Sequence, residues 1–323
     1  MPAAEPKEQH TVHRAYLAGF LDPDTVKGDT GYLWVYMPGK SPFRQKPERV
    51  AKRNYYYCYE RNEQRQFDVE HGLSKMEDAA VPILRRLKGL ELTLSTDERM
   101  TFAGYVALSH CRVPTAHRNF DRLRSLESAK HLEYLVNNPK ELEYLLKRHE
   151  KDTGEVIDPE EMRKGLTAGN VVVTQEGRQW SLLMMFALLL PLQELIFRMH
   201  WSFVVIGPDD PGFVTSDNPV ALFDPKASPM GGIGFASSRQ AHFTFPISRE
   251  ICLIAGHEER PQRVSVSPHE TRQLNTAAFI TRADSQVYAP FREEKIQSLV
   301  DRLPKIKPRK GRVLLRKGTV VEE

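Results

Sequence analysis

The sequence holds only three cysteines, Cys58, Cys111 and Cys252, odd in number and far apart, with no Cys-x-x-Cys pair. A disulfide framework and a thiolate zinc site therefore have no support, and this usage fits a reducing, cytoplasmic compartment. Cys111 follows His110, but adjacency in sequence does not make a thiol–imidazole pair. No Gly-x-Ser-x-Gly elbow, Walker loop or dinucleotide fingerprint occurs, and the glycines of MGGIGF at 230–235 lack the spacing and helical context to cradle a phosphate. These absences argue against a serine hydrolase, a P-loop NTPase and a dinucleotide-dependent oxidoreductase. The opening MPAAEPKEQHTVHR has no apolar core, so no signal peptide is expected. Long hydrophobic runs are scarce. The most apolar, Leu182 to Leu192, is about half the roughly 20 residues that a membrane span needs. Gln193, Glu194 and Arg198 follow it. It reads as a helix buried on nearly all sides and kinked at Pro191, with no membrane partner expected.

What is present suits a globular chain. With 323 residues, 40% hydrophobic and 27% charged, it is long enough for one large domain or two packed ones. A net charge of +4 permits nucleic-acid contact without requiring it. YLWVYMPG predicts a strand ending in a Pro-Gly turn, and NYYYCY at 54–59 predicts a second strand. Val69, Leu73, Met76, Ala80, Ile83, Leu84 and Leu87 recur at helical spacing. Ser95 with Glu98 forms a capping box for a second helix, which Pro114 should end. A charged, Leu-studded stretch near 120–158 reads as a helical surface insertion, with helix restarts at Asn138-Pro139 and Asp158-Pro159. Between Trp201 and Pro290, five β-branched and aromatic runs predict strands of one mainly antiparallel sheet. Ser267 with Glu270 caps a helix through Phe279, and a last helix lies near 293–303. The expected fold is α+β: a mainly antiparallel sheet, a helical middle region and a charged helical insertion, in a single domain over 1–303 with a basic tail at 304–323.

A set of short motifs runs through the chain in order. His10, Val12, Tyr16, Leu17 and Phe20 open it; Glu70 and Glu77 follow; then come Arg112-Val-Pro114 with Arg118, the string Phe213 to Val220 containing Ser216-Asp217-Asn218-Pro219, Phe245-Pro-Ile-Ser248, and Asn275. This set resembles the bacterial domain-of-unknown-function family 4238. His13 stands where that family usually has proline. The resemblance spans nearly the whole chain apart from the charged insertion, and it implies no activity or cofactor, so the chemistry must be argued from the residues themselves.

Glu70 and Glu77 are two helical turns apart and share a stripe beside the apolar face. Semi-buried carboxylates serve as metal ligands or as acid/base groups, and equally as partners of arginines in structural ion pairs, with Arg112 and Arg118 the candidates. Asp217 sits in a Thr-Ser-Asp-Asn-Pro string that is either a turn or a carboxylate held at a strand end. One reading makes the chain a metal-dependent phosphodiesterase or nuclease-like hydrolase of a bacterial conflict or stress system. Its catalytic residues would be His10, Glu70 and Asp217, with Glu70, Glu77 and Asp217 holding Mg²⁺ or Mn²⁺. Arg112, Arg118, Ser216, Asn218 and Asn275 would bind substrate. Lys305, Lys307, Arg309, Lys310, Arg312, Arg316 and Lys317 of the tail would attract nucleic acid. The rival is a non-catalytic binding or interaction protein in which the same acids and arginines form a structural network. The sequence leaves the oligomeric state open.

Overall fold

A computed structural model of the chain describes residues 7–28, 30–61, 64–168, 170–173, 178–224, 238–304, 313–316 and 319–321. Its helices begin where the sequence supplies caps and prolines. After the short α1 (Arg14–Leu17), α2 (Asp68–Lys88) buries Val69, Leu73, Ala80, Ile83, Leu84 and Leu87 on one face. Asp68 and Glu70 stand in its first turn and Arg85, Arg86 and Lys88 in its last, each sign matched to the helix dipole. α3 (Thr96–Cys111) opens on the predicted capping box, with Glu98 N–H donating to Ser95 Oγ at 3.2 Å and Ser95 N–H to Glu98 Oε2 at 2.8 Å. Prolines open α4 (Pro114–Asn137), α5 (Pro139–Thr153) and α6 (Pro159–Ala168). Asp158 caps α6 by accepting Glu161 N–H at 2.7 Å. Asn138 does not cap α5. Its amide donates to Tyr134 O of the preceding turn at 2.7 Å, a competing local hydrogen bond open to asparagine. α5 stops at Gly154, whose φ of 77° a side chain would disfavour. α7 spans Gln179–Arg198. α8 (Pro268–Leu274) starts from the Ser267–Glu270 box and runs on as a π-helical stretch, Asn275–Ile280; α9 is Glu294–Val300.

Two sheets, rather than one, take up the strands between 201 and 290. A five-stranded sheet has the order Ala221–Phe223, His242–Pro246, Ile251–Gly256, His200–Ile206, Arg263–Val266. All of its pairs are antiparallel except the last. A four-stranded antiparallel sheet orders Lys40–Gln45, Leu33–Met37, Val287–Ala289 and Thr215–Ser216. Val287–Ala289 thus pairs with a strand some 250 residues earlier, a partner that local spacing cannot reveal. The NYYYCY run is not a strand either. Lys52–Asn54 and Tyr59–Arg61 are short strands on either side of a turn, with Tyr55 at φ 49°. Its β-forming tyrosines instead pack inward, Tyr56 and Tyr57 both buried.

α7 also departs from expectation. Leu182, Met185, Leu189 and Ile196 are buried, but Leu183, Phe186 and Leu190 are exposed, Leu190 to 70%. A helix laid against one side of a core buries one face, and nothing in that packing forbids leucines on the other. At 20 residues α7 is apolar enough to span a membrane by length and composition alone.

Contacts group the chain into two units, 1–116 with 185–305, and 117–184 with 306–323. The first contains both large sheets, and its core is aromatic. Tyr16 stacks on Phe245 at 5.0 Å and packs on Phe20 at 5.3 Å, while Phe102 of α3 meets Tyr105, Trp201 and Phe245. These rings tie the N-terminal segment, α3 and the five-stranded sheet together. In the second unit Val136 and Leu166 form a small core with Leu132, Met162 and Val171. A three-stranded sheet there sets Asn170–Val173 against Val313–Arg316, which also pairs with Thr319–Val321. Of the tail cations only Arg316 falls in described backbone; Lys305, Lys307, Arg309, Lys310, Arg312 and Lys317 lie outside the described residues.

Candidate functional site

Arg112 is the hub of a buried polar cluster in the first unit. It caps the C-terminus of α3, its N–H donating to Leu108 O at 3.0 Å, and only 2% of it is exposed. Each guanidinium nitrogen meets a protein oxygen: Nη1 pairs with Glu77 Oε1, Nη2 donates to His10 O at 2.5 Å, and Nε donates to Tyr57 Oη at 3.2 Å. Tyr57 Oη in turn donates to Arg112 O at 2.9 Å. The arrangement joins α2, α3, the strand Glu8–His10 and the 55–57 turn. Burial raises the pKa of Glu77, and the Arg112 charge opposes that rise. Arg112 itself is held charged above its ordinary value by Tyr57 and Glu77 against the penalty of burial.

Three residues that carry no sequence motif complete the cluster. His13 Nδ1 is 3.0 Å from Tyr105 Oη and 3.9 Å from Glu77 Oε1, and Tyr57 is the third. His13 could have been suspected from its place three residues after His10. Tyr57 and Tyr105 are ordinary aromatics of a turn and a helix, and only the packing reveals them.

Glu70 and His10 stand apart from this saturation. Glu70 lies two turns before Glu77 on α2; its pKa is raised, first by burial and also by the Glu77 charge, while Arg112 lowers it. Its Oε2 and the Nε2 of His10 are buried with no hydrogen-bond partner among the described residues. Leaving such atoms unpaired costs about 1–3 kcal/mol each, so they mark where the fold tolerates an unfavourable arrangement.

The Ser-Asp-Asn-Pro string is a different structure. Asp217 is 7% exposed, and its carboxylate accepts four hydrogen bonds. They come from the backbone N–H groups of Asp284, Ser285 and Gln286, at 2.8, 2.9 and 3.0 Å, and from Ser285 Oγ at 2.9 Å. Burial, with the nearby Asp284 charge, pushes its pKa up to about 6, and those hydrogen bonds resist the rise. Ser216 Oγ accepts Asn218 N–H at 3.2 Å and donates to Asn218 O at 3.0 Å, and Asn218 Nδ2 donates to Arg282 O at 3.0 Å. Asn275 bridges Val214 N–H (3.0 Å) and Gly212 O (2.9 Å). Gly212 adopts φ 113°, and a Cβ there would lie 2.8 Å from Arg249 O, so the backbone needs glycine at this clamp. Arg118 belongs to α4 in the second unit. Among the described residues no group of three His, Cys, Asp or Glu side chains is placed to hold a metal ion. Glu70, Glu77 and Asp217 are therefore distributed, with Glu77 engaged by Arg112 and Asp217 by the 284–286 turn.

The two histidines give the cluster a pH signature. Burial, aided by the Lys52 and Arg112 charges, pushes His10 down to about 4, and burial with Arg112 and Lys88 takes His13 to about 3. On acidification the unfolded chain takes up these protons near pH 6.5, before the folded one does. Their contribution to stability is present above pH 6.5 and is lost as pH falls toward 4. The raised carboxyls of Glu70, Glu77 and Asp217 act in the opposite sense, because there the folded chain protonates first. His10→Gln isolates one contribution. In urea titrations, the stability of the wild type relative to this variant should fall between pH 6.5 and 4; a constant difference would mean that His10 titrates alike in both states.

A family model described as "Protein of unknown function (DUF4238)" matches residues 8–292. No curated protein and no solved structure matches the chain. The matched span includes His10, both glutamates, Arg112, Asp217 and Asn275.

Proposed function

The chain belongs to the DUF4238 family, and we propose that it is a hydrolase acting on phosphodiesters, with Glu70 and His10 as its proton-transfer groups. The observation that carries this reading is the pair of buried atoms without a hydrogen-bond partner among the described residues, Glu70 Oε2 and His10 Nε2, around one guanidinium whose three nitrogens each meet a protein oxygen. Perturbed titratable groups without structural partners gather at functional sites. A carboxylate whose pKa is raised toward neutrality is a stronger base toward an attacking water. Glu70 would accept the water proton as the water oxygen bonds to phosphorus, and the P–O bond to the leaving group breaks. His10, neutral at pH 7, would orient the water through Nε2. Arg112 is a positioning residue that fixes Glu77, Tyr57 and the His10 backbone. Were Mg²⁺ or Mn²⁺ bound, Glu70 and His10 would be its protein donors, and the ion would supply an acidified water in place of their direct contacts with it. A hard cation on so few protein ligands would keep several waters.

Hydrolysis of bis(p-nitrophenyl) phosphate and of single-stranded RNA and DNA, with Mn²⁺ or with EDTA, tests this reading. Glu70→Gln should lower turnover by about 100-fold or more without lowering the melting temperature, since Oε2 makes no hydrogen bond among the described residues and the penalty of burial on its charge exceeds the attraction of Arg112. A thermal shift with Mn²⁺ in the wild type that Glu70→Gln abolishes would add the metal to the reading. No turnover of any of these substrates would overturn it. In that case the second reading stands: a non-catalytic binding protein, favoured by the full pairing of Arg112, Glu77 and Asp217 inside the fold.

A further inference from the structure

A cavity of about 390 Å³ opens in the first unit, between the 92–99 segment, the C-terminal end of α7 and the five-stranded sheet, and it shares no residue with the Arg112 cluster. Among the described residues three arginines line it, Arg99, Arg198 and Arg260, and no aspartate or glutamate does. Its volume lies within the range of small-molecule sites, about 300–1,000 Å³. From these residues we infer that the cavity is a binding site for a small organic phosphate, its anionic head held by the arginines and its body lying on the apolar wall.

Arg99 is the anchor of the site. Nε donates to Phe197 O at 3.1 Å and Nη2 to Met199 O at 2.5 Å, the carbonyls that end α7. The guanidinium lies over the Trp201 ring at 4.2 Å. Backbone and indole thus fix its plane, and among the described residues none of its hydrogen bonds goes to a carboxylate. A guanidinium has five N–H donors, so a rigid part of the fork remains for a ligand. Fixed, planar donors of this kind suit phosphate oxygens.

Arg198 and Arg260 supply mobile charge at the rim. Arg198 pairs with Glu194 one turn back on α7, with both side chains more than half exposed. Arg260, half-buried, pairs at 3.3 Å with the exposed Glu258. Exposed pairs of this kind are weak and exchange readily, so both arginines can turn to an incoming dianion. Leu92, Leu94, Met199, Trp201 and Phe203 form the apolar part of the lining, and Gln262 is fixed there by its hydrogen bond to Leu92 O at 3.3 Å. A ligand with both a phosphate and a flat or apolar body matches this lining better than a bare anion.

Adenosine 5′-monophosphate is a suitable probe, titrated by calorimetry into the wild-type chain at low salt, with adenosine and inorganic phosphate as comparisons. Saturable binding of the monophosphate is expected, at least ten times tighter than either comparison and weakening as salt rises. The double variant Arg198→Gln/Arg260→Gln changes only surface ion pairs and should fold as the wild type does, by circular dichroism and melting. It should bind at least tenfold more weakly, whereas Arg198→Lys/Arg260→Lys should retain part of the affinity. Glu70→Gln should bind like the wild type, which separates this site from the proposed hydrolytic one. Absence of saturable binding, adenosine or phosphate binding as tightly, or a double Gln variant that binds unchanged would each overturn the assignment.

Discussion

Arg112→Met should destabilise the chain by about 3–5 kcal/mol, the cost of leaving a buried charge without its partner. Methionine fills much of the arginine stem volume, so the loss reports the polar contacts more than a cavity. Glu77 would lose its ion pair, the His10 carbonyl its donor, and Tyr57 its hydrogen bond from Nε, all at once. Urea unfolding at pH 7 measures the effect. The double variant Arg112→Met/Glu77→Gln should be less destabilised than the sum of the two single changes, because the second substitution removes the stranded charge. If Arg112→Met unfolds at the same urea concentration as the wild type, the cluster does not hold this part of the fold together. Full additivity in the double variant would show that the two residues do not interact in solution.

Asp217→Ala should cost about 3 kcal/mol or more, since three backbone N–H groups and one hydroxyl lose their acceptor together. Asp217→Asn keeps the shape and one carbonyl oxygen, but turns an amide toward donors that need an acceptor, so its loss should be intermediate. The damage should be local as well as global: amide hydrogen exchange at 284–286 should accelerate in both variants. This separates the turn-holding role from a metal-holding one. A metal ligand replaced by asparagine would leave the apo chain as stable as before and would change only its response to Mn²⁺. Unchanged exchange at 284–286 with an unchanged unfolding midpoint would remove the structural role assigned to Asp217.

Most helices were legible because their signals are local. The Ser95–Glu98 and Ser267–Glu270 boxes, the prolines opening α5 and α6, and the 3.6-residue recurrence of Val69, Leu73 and Ala80 depend on residues within one or two turns; Pro114, expected only to end α3, also opens α4. Strand runs such as His200–Ile206 and the pair His242–Pro246 and Ile251–Gly256 were legible for the same reason. The motif order was enough to point to the family, and the α+β class follows from where helices and strands cluster along the chain. Other features depend on a partner that sequence distance hides. Val287–Ala289 joins Leu33–Met37 in a second sheet, and Tyr56 and Tyr57 turn inward although tyrosine favours strands. α7 has apolar residues all round, and only its position decides that Leu190 faces outward while Leu189 is buried.

The candidate site divides along the same line. The sequence by itself placed Glu70 and Glu77 on one helical stripe, because two turns of helix return a side chain to nearly the same direction. Tertiary structure alone decided that Glu77 meets Arg112, that Asp217 faces the 284–286 turn, and that Glu70 and His10 keep unpaired atoms. It also brought Arg99, Arg198 and Arg260 around one cavity from three separate segments. The physical reason is that a hydrogen bond or ion pair is set by distances of about 3 Å, while the residues that make it lie 35 to 102 positions apart around Arg112 and about 67 apart at Asp217. No local pattern encodes such a meeting; it follows from burying the aromatic core.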